Sequence, residues 1–377
     1  MTKAGRKHSW RAPFRRIAMA TENALELARL GHFTDPVHAP YKVVHQMPIA
    51  RIRRYGGDDH RPTVDAPLLL IPPLMVTAEI YDVAPDISGV SALTRMGLDV
   101  YVIDFGSPEQ EEGGMKRTLD DHIKAVSGSI DWLRNATGRD VHLIGYSQGG
   151  MFAYQTAAYR AAEGIASVVT FGSPVDIHRN LPKVEDTIAG RVFELAQGAL
   201  DKPLDKLEGL PGFLTSTGFK LLAVHKEVGQ LMDFVRKLHD RQALEKREAR
   251  RRFLGGEGFV AWPGPALKKF IDEFVVHNRM LSGGFVVDGR TVTLADIRCP
   301  IMFFVGERDS IANESAIRAI RGAAPNAELF EVSMRAGHFG LVVGNQAMSF
   351  TWPTVASWIC WREGVGPEPA ALRAPLR

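Results

Sequence analysis

The stretch VHLIGYSQGGMFAYQTAAY, residues 141–159, decides the fold of this chain. Its first five residues form a short apolar run typical of a buried parallel strand, and residues 149–162 have the pattern of a helix. Ser147 therefore stands in a sharp strand-to-helix turn, where its hydroxyl projects above the sheet as a nucleophile. Small residues are needed two positions to either side, because the backbone folds back on itself there. The predicted nucleophile turn consists of Gly145, Tyr146, Ser147, Gln148, Gly149 and Gly150.

Short apolar runs alternate with helical segments on both sides of this turn. The runs cover residues 66–71, 98–103, 141–145, 165–171, 301–306 and 327–332, and the helical segments cover residues 120–135, 149–162, 315–321 and 347–361. Strands that alternate with helices form a parallel sheet covered on both faces. Residues 41–55 alternate in part and are expected to add antiparallel edge strands. The predicted fold class is α/β, with a doubly wound, mostly parallel sheet.

One interval interrupts this rhythm. About 125 residues separate Pro174 from Ile301, whereas an ordinary connection has about 2–6 residues. The interval contains helical segments at residues 192–200, 221–253 and 266–281 and no run typical of a buried strand, which predicts a helical cap inserted at residues 175–298. The core is then divided into residues 41–174 and 299–362. The 377 residues therefore correspond to one catalytic domain with an insertion rather than to two or three domains.

The two ends differ from the core in composition. Residues 1–40 begin as a basic N-terminal arm, interpreted as a solvated tail; contact of Trp10 and Phe14 with an anionic lipid surface is the alternative. The basic run 241–252 in the cap is interpreted as a solvated helix face, with a contact for an anionic substrate or lipid as the alternative. Residues 363–377 are rich in Pro, Ala and Gly and are predicted to be disordered.

Composition excludes several classes of function. Lys and Arg number 46 and Asp and Glu number 43, so the net charge of +3 is too small to indicate nucleic-acid binding. No apolar run reaches the roughly 18 residues that span a bilayer, and no secretory signal is found, so a cytoplasmic location is expected. Cys299 and Cys360 are interpreted as reduced, buried or half-buried thiols. The pattern contains neither a metal-ligand cluster nor a dinucleotide-binding glycine motif, so no metal and no other cofactor is expected.

A serine nucleophile needs a base, and the base needs an acid that orients it. In sheets of this kind the three follow one another as Ser, Asp or Glu, and His. Asp309 follows the run 301–306 and His338 follows the last strand, so both are expected at the carboxyl edge of the sheet, where ligands bind. Asp176 is the alternative for the acid, and a helix cap is the alternative role for Asp309. The predicted triad is Ser147, Asp309 and His338.

An oxyanion hole needs two backbone N–H donors, aimed at the negative charge that develops on the carbonyl oxygen. One is expected from Gln148, directly after the nucleophile, at the positive end of the helix dipole. The other is expected from the loop after the strand 66–71, which begins Pro72-Pro73. Because proline has no N–H, the donor in this loop is predicted to be Leu74 or Met75.

Taken together, these segments resemble the polyhydroxyalkanoate synthase branch of the α/β-hydrolase superfamily. The similarity runs through PLLLIPPLM (67–75), YVIDFGSPEQ (101–110), TLDDHI (118–123), GYSQGGMFAYQTAAY (145–159) and VVTFGSPVD (168–176). It continues through FVVHNRMLSGGFVVDGRTVTLADIRCPIMFFVGERD (274–309) and AGHFGLVVGNQAMSFTWPTVASWI (336–359). The resemblance covers roughly residues 41–361 and implies an α/β-hydrolase fold, with Ser147, Asp309 and His338 as nucleophile, acid and base of acyl transfer.

The chain departs from this family at the nucleophile. Synthases of the family carry Cys in a G-x-C-x-G-G pattern, whereas this chain carries Ser147. A serine ester is less activated toward transfer than a thioester, which favours release of the acyl group to water. The main expectation is therefore a serine acyl-ester hydrolase of the esterase or lipase type. The alternative is an acyltransferase or polyhydroxyalkanoate synthase-like enzyme that uses acyl-CoA.

A third interpretation is a non-catalytic binding protein built on the same fold. Such proteins usually lose members of the triad, and this chain has lost none. The expected partner is an acyl ester or acyl-CoA substrate, and nucleic acid is not expected. Peripheral contact with a membrane or lipid surface and oligomerisation are left open.

Overall fold

A computed structural model of the chain describes residues 11–33, 36–57, 59–180, 209–210 and 236–372. The strands in these ranges are β1 (Tyr41–Gln46), β2 (Arg51–Tyr55), β3 (Val64–Ile71), β4 (Leu98–Asp104), β5 (Val141–Tyr146), β6 (Ile165–Phe171), β7 (Gly209–Leu210), β8 (Trp262–Pro263), β9 (Phe285–Val287), β10 (Arg290–Val292), β11 (Ile301–Gly306) and β12 (Leu329–Met334). The α-helices are α1 (Arg11–Leu30), α2 (Gly89–Arg95), α3 (Leu119–Thr137), α4 (Gln148–Tyr159), α5 (Arg241–Arg252), α6 (Gly264–Phe270), α7 (Glu314–Arg318), α8 (Ile320–Ala323) and α9 (Trp352–Arg362). Single π-helical turns cover Phe253–Glu257, Ile271–Val276 and Ala347–Thr351.

Eight of these strands form one sheet in the order β1-β2-β4-β3-β5-β6-β11-β12. Neighbours from β4 to β12 pair in parallel, while β1 and β2 add an antiparallel edge. β4 and β5 are buried at every residue, as expected of parallel strands with helices over both faces. The predicted fold class, an α/β doubly wound and mostly parallel sheet, is confirmed.

The apolar runs locate the core strands to within two residues at each end. β6 and β11 have the predicted bounds, and β12 is displaced by two residues. The predicted helix at residues 315–321 is two short helices, α7 and α8, and the one at residues 347–361 begins as a π-helical turn before α9. The sequence pattern does not reveal α2, because its seven residues are too few to show helical periodicity.

The helices beside the sheet place the start of α4 behind the predicted nucleophile. α3 packs against α4, and α2 packs against α9. A capping box fixes the start of α3: the Asp121 N–H donates to Thr118 Oγ1 (3.1 Å), and the Thr118 N–H donates to the Asp121 carboxylate (2.8 Å). α4 begins at Gln148, one residue after Ser147, and is buried along nearly its whole length. A helix N-terminus therefore meets the carboxyl end of β5 in the middle of the sheet.

The predicted cap interval, residues 175–298, is described at residues 175–180, 209–210 and 236–298. It contains α5 and α6, each continued by a π-helical turn, which agrees with the helical pattern. It also contains a hairpin of β9 and β10 in which Phe285 and Val287 are buried, so the expectation of no buried strand in this interval is wrong. Strands of three residues are too short for their alternation to be recognised. The helical segment predicted at residues 192–200 lies outside the described residues.

The N-terminal arm forms a helix that lies against the cap. α1 runs from residue 11 to residue 30. The buried Asn23 donates to the carbonyl of Leu238 (2.8 Å), and Glu26 forms an ion pair with Arg241. The interpretation as a solvated tail is therefore wrong for the inner face of α1. Trp10 and the side chain of Phe14 lie outside the described residues.

The basic run 241–252 forms α5, and the N-terminal segment packs against this helix. Leu244 and Glu248 on α5 are buried, and the Glu248 carboxylate accepts the N–H of Phe33 at 2.8 Å. The guanidinium of Arg241 lies 4.2 Å from the centre of the Phe33 ring. The run is thus only partly a solvated face, because one side of it packs against the N-terminal segment.

The residues after α9 are ordered against the core. Glu363 accepts a hydrogen bond from His142 (3.1 Å) and forms an ion pair with Arg139, while Pro369 is buried. The expectation of disorder from Glu363 onward is therefore wrong for residues 363–372, and residues 373–377 lie outside the described range.

Two further findings concern the whole described chain. None of its described helices is both long and apolar enough to cross a bilayer. Cys299 is buried and Cys360 is half-buried, and both are free thiols. Burial raises the pKa of the Cys299 thiol to about 12, which leaves it protonated and unreactive at neutral pH.

Candidate active site

Ser147 lies between the last residue of β5 and the first residue of α4. Its backbone angles, φ 54° and ψ −120°, are rarely adopted by residues with a side chain and are typical of strained functional turns. The Ser147 N–H donates to the carbonyl of Phe171 on β6 (2.8 Å), which holds the turn in place. The Ser147 side chain is half-buried, whereas the residues around it are buried.

The glycines of the turn are required by close backbone approach. A Cβ atom on Gly145 would collide with the backbone of Gly149, and one on Gly149 would collide with the carbonyl of Ile71. A Cβ on Gly150 would collide with the side chain of Ser173. These positions bring β3, β5 and α4 into contact, so larger residues would displace Ser147.

His338 connects Ser147 to Asp309. His338 Nε2 lies 2.9 Å from Ser147 Oγ, and His338 Nδ1 lies 2.7 Å from Asp309 Oδ2. The other carboxylate oxygen, Asp309 Oδ1, accepts the N–H groups of Ile311 and Ala312, each at 2.9 Å. Because Asp309 accepts at both oxygens, it is assigned as ionised, Nδ1 of His338 as protonated, and Nε2 as the acceptor of the Ser147 hydroxyl proton. The structure thus brings the three predicted triad residues together in the order that nucleophilic catalysis needs.

Gly172 makes room for this hydrogen-bonded pair. It follows β6 with φ +57°, and a Cβ there would lie 3.1 Å from both Asp309 Oδ2 and His338 Nδ1. Sequence reasoning missed Gly172, although a glycine directly after a core strand is a signal of close approach at the sheet edge. A side chain at this position would push Asp309 and His338 apart.

Asp176, the alternative acid, is engaged elsewhere. Its carboxylate accepts the side-chain N–H of Asn278 (2.9 Å) and forms an ion pair with Arg179 (2.9 Å). Asn278 in turn accepts the N–H of Ile177, so the group ties the segment after β6 to the cap. His338 is bonded to Asp309, which leaves Asp176 with a structural role in the cap junction.

The predicted oxyanion loop folds as a tight turn next to Gln148. The Val76 N–H donates to the carbonyl of Pro73 (3.2 Å), with Leu74 and Met75 at the centre of the turn. The Leu74 N–H donates to the side-chain Oε1 of Gln148 (3.1 Å). Sequence reasoning assigned Gln148 only a backbone role, and this side-chain contact spans 74 residues that no local pattern connects.

The cap pairs with the same loop. The Val260 N–H donates to the carbonyl of Met75 (3.1 Å), and the Thr77 N–H donates to the carbonyl of Gly258 (2.9 Å). Between them, Val76 and Phe259 form an isolated antiparallel bridge. The loop after β3 is therefore held by the core on one side and by the cap on the other.

Two tyrosines pack beneath the nucleophile turn. The Tyr81 hydroxyl donates to the carbonyl of Ile71 (2.7 Å) and accepts the N–H of Tyr146 (3.1 Å), so it links the carboxyl ends of β3 and β5. The Tyr146 ring lies 5.1 Å from the ring of His338. Burial, and next the charge of Asp309, raise the pKa of Tyr146 well above its ordinary value. Tyr146 therefore stays neutral and packs against the base without competing for its proton.

Within the described ranges, no group of three or more His, Cys, Asp or Glu side chains is arranged so that it could hold a metal ion. The strand-to-helix turn with Ser147, followed by an acid and a base on later strand ends, defines the α/β-hydrolase class. A family model described as alpha/beta hydrolase fold matches residues 81–344, and the chain belongs to this family.

Within the family, the chain is similar to poly(3-hydroxyalkanoate) polymerase subunits. It is 28% identical over 352 residues to the subunit PhaC of Allochromatium vinosum, covering 92% of this chain and 94% of that protein. It is 26% identical over 343 residues to the corresponding subunit of Haloferax mediterranei, covering 87% of this chain and 65% of that protein.

A solved structure with the same fold is the monoacylglycerol lipase of Paleococcus ferrophilus. Its TM-score is 0.50 at 16% sequence identity, and the match covers 83% of this chain and 99% of the lipase. At this identity the likeness extends to the fold alone.

Proposed function

We propose that this protein transfers acyl groups from an acyl thioester such as acyl-CoA, through an acyl-serine intermediate on Ser147. The observation that carries the proposal is the hydrogen-bonded series Ser147–His338–Asp309, with Oγ to Nε2 at 2.9 Å and Nδ1 to Oδ2 at 2.7 Å, at a strained strand-to-helix turn. The relatives named as poly(3-hydroxyalkanoate) polymerase subunits support a polyester synthase-like reaction over simple ester hydrolysis.

The proposed mechanism uses only side chains and backbone groups of this chain. His338 Nε2 takes the Ser147 proton as Oγ attacks the carbonyl carbon, and Asp309 stabilises the imidazolium that forms. The N–H of Gln148 and a second N–H from the Leu74–Met75 turn stabilise the oxyanion. His338 then protonates the departing thiolate, which leaves the acyl group as an ester of Ser147. In the second half, His338 takes the proton of an acceptor hydroxyl as its oxygen attacks the ester carbonyl. His338 then gives that proton to Ser147 Oγ as the acyl–Oγ bond breaks, which restores the free serine and the neutral imidazole.

Hydrolysis is the second candidate, and Ser147 itself favours it. A serine ester is a poorer acyl donor than a thioester, so transfer to a scarce acceptor competes less well with water. In that case the acceptor is water, and the protein is an esterase or lipase acting on hydrophobic acyl esters or thioesters. The similarity to poly(3-hydroxyalkanoate) polymerase subunits supports acyl transfer to a hydroxyl acceptor better than it supports hydrolysis.

The deciding experiment is product analysis with a 3-hydroxyacyl-CoA. The proposal expects release of CoA together with ester-linked oligomers, and an acyl adduct on Ser147 detected by mass spectrometry after rapid quenching. Free 3-hydroxy acid as the sole product would instead establish the hydrolase. If neither CoA nor adduct appears and a fluorophosphonate probe fails to label Ser147, both enzymatic readings are wrong and the protein is a binding module.

A cytoplasmic location remains a prediction from the sequence. Peripheral contact with a lipid surface and self-association are two further possibilities that the sequence leaves open. Fractionation of cell extracts and light scattering on the purified chain would test them.

A further inference from the structure

Among the described residues, the turn after β3 leaves one backbone N–H, that of Met75, without a hydrogen-bond partner. The Leu74 N–H is taken by the Gln148 side chain, the Val76 N–H by the Pro73 carbonyl, and the Thr77 N–H by the cap. In the part of the chain that the structure describes, the Met75 N–H makes no hydrogen bond, although Met75 is only 7% exposed. A buried N–H without a partner is rare and calls for an explanation.

We infer that the Met75 N–H is the second oxyanion donor and that the Gln148 carboxamide is the positioning residue that directs it there. By holding the Leu74 N–H at Oε1, Gln148 removes that group from the oxyanion site and fixes the plane of the preceding peptide. The central peptide of the turn, which carries the Met75 N–H, comes directly after Leu74, whose N–H contacts the side chain of Gln148, the residue that follows Ser147. The inference rests on the proposed function and assigns one of the two donors that the sequence left as alternatives.

The burial of Gln148 supports a role for its carboxamide beyond packing. Gln148 is 5% exposed, and its Nε2 has no hydrogen-bond partner within the described residues. An apolar side chain of the same length would avoid the cost of burying that amide. The hydrogen bond at Oε1 gives the polar side chain a function that an apolar one lacks.

The cap fixes the other side of the same turn. The Val260 N–H donates to the Met75 carbonyl, which lies in the peptide that follows the Met75 N–H. With Gln148 holding the peptide before Leu74 and Val260 holding the peptide after Met75, the central peptide has little freedom to rotate. The donor is therefore preorganised before substrate binds, which is the condition for effective oxyanion stabilisation.

The test compares Gln148→Met with Gln155→Met. Methionine keeps the length of glutamine and the backbone N–H, but it removes the Oε1 acceptor. Gln155 is a matched control because it lies on the same helix, is 1% exposed, and has an Nε2 without a partner in the described chain. For Gln148→Met we expect kcat to fall about 10–100-fold with KM changed less than threefold. For Gln155→Met we expect kcat within twofold of the parent.

A transition-state analogue separates positioning from general damage. A trifluoromethyl ketone forms a hemiketal oxyanion with Ser147, so Gln148→Met should weaken its binding by the same factor as kcat/KM. A non-hydrolysable thioether analogue of the substrate, which forms no oxyanion, should bind unchanged. Equal weakening of both ligands, or unchanged affinity for the ketone, would overturn the inference.

A direct test replaces the Met75 N–H by an ester oxygen, through incorporation of an α-hydroxy acid at position 75. Removal of one oxyanion donor lowers kcat by about 10²–10³-fold, and a loss of less than threefold would show that Met75 is not the donor. Ser147→Ala, assayed in parallel, keeps the two proposals apart. If Ser147→Ala retains activity, the proposed function fails; if it is inactive while the position-75 ester is active, only the inference fails.

Discussion

The part of the chain that the structure describes contains two Ser–His–acid groups, and one of these two has the surroundings of a catalytic site. In the first, Ser147, His338 and Asp309 meet at the carboxyl end of the sheet. The second group is formed by His142 on β5, Ser167 on β6 and Glu363 in the tail after α9. There His142 Nδ1 lies 2.7 Å from Ser167 Oγ, and His142 Nε2 lies 3.1 Å from Glu363 Oε1. The residue types and the distances are alike. What differs is the setting of each serine.

The setting explains why the second group is structural. Ser167 lies inside β6 with no exposed surface, and its Oγ also accepts the indole N–H of Trp358 (3.0 Å). No strained turn projects it, and no helix begins behind it. Ser147 has both, and the Leu74–Met75 turn contacts Gln148, the first residue of the helix that begins behind it. A nucleophile is therefore defined by its backbone and its access, and the hydrogen-bonded series alone is not sufficient.

The largest expected effect is on the two serines. Ser147→Ala should lower turnover of a 3-hydroxyacyl-CoA by at least about 10⁴-fold, because no other group can form the acyl intermediate. Ser167→Ala, the matched control, should keep kcat within twofold and destabilise the fold by about 1–3 kcal/mol, since it leaves the Trp358 N–H without an acceptor. Initial rates and urea unfolding measure the two effects. A strong loss of activity in Ser167→Ala at unchanged stability would contradict the comparison.

The next effect concerns the two acids. Asp309→Asn should lower kcat by about 10²–10⁴-fold, because an amide can favour the wrong tautomer of His338. Glu363→Gln should leave kcat within twofold. Steady-state kinetics on both variants, with circular dichroism to verify folding, provide the test. Similar losses of kcat in the two variants would mean that Glu363 affects the site at Ser147, and would contradict the comparison.

A third prediction is the pH dependence of stability. Burial lowers the pKa of His142 below its ordinary 6.5, and burial lowers that of His122, packed between Phe105 and Phe152, to about 4. A depressed folded-state pKa gives stability that is fully present above pH 6.5 and is lost as the pH falls toward the folded-state value, because the unfolded chain binds the proton first. For His122 the whole loss, complete only below pH 4, is about 3 kcal/mol, of which about 2 kcal/mol falls between pH 7.5 and 5.

Urea unfolding between pH 7.5 and 5 measures this loss. The parent should lose stability over that range, and His142→Asn should show a shallower slope, since one of the two histidines whose pKa burial lowers is then absent. Parallel curves for parent and variant would show that His142 does not carry the effect. The catalytic group is left intact by this substitution, so kcat at pH 7.5 serves as the control for folding.

The smallest expected effect is removal of the tail after Arg362. It deletes Glu363 and with it the hydrogen bond to His142 and the ion pair with Arg139, and should cost about 1 kcal/mol of folding free energy. The midpoint of urea unfolding at pH 7.5 measures it, with kcat expected within twofold. An unchanged midpoint would mean that residues 363–372 do not contribute to the fold.

Local sequence was sufficient to predict that Ser147, Asp309 and His338 lie together, and it was insufficient to predict the second group. Ser147, Asp309 and His338 each follow an apolar run, and the strand order brings their positions together. The contact of His142 with Glu363 joins residues 221 positions apart, and a Pro- and Gly-rich tail carries no periodicity that would reveal its docking. The composition of residues 363–377 predicted disorder, whereas the contacts of Glu363 with His142 and Arg139 hold the start of this tail against the core.

The same limit applies around the oxyanion loop. Pro72-Pro73 led to the prediction that the donor is Leu74 or Met75, but the hydrogen bond between Leu74 and Gln148 depends on how β3 and α4 approach each other. The pairing of Met75 with Val260 depends on the path of the cap. Neither hydrogen bond can be predicted from the local sequence pattern, because each joins two segments that come together only in the folded chain.

The docking of α1 has a mechanical consequence. The hydrogen bonds and ion pairs that residues 11–33 make to other described elements go to residues 238–248 of the cap. Force applied at the amino end is therefore transmitted to the cap before it reaches the sheet. An affinity tag, a surface or a fused domain attached there therefore pulls first on residues 238–248, so its length and charge are variables in any mechanical measurement on this chain.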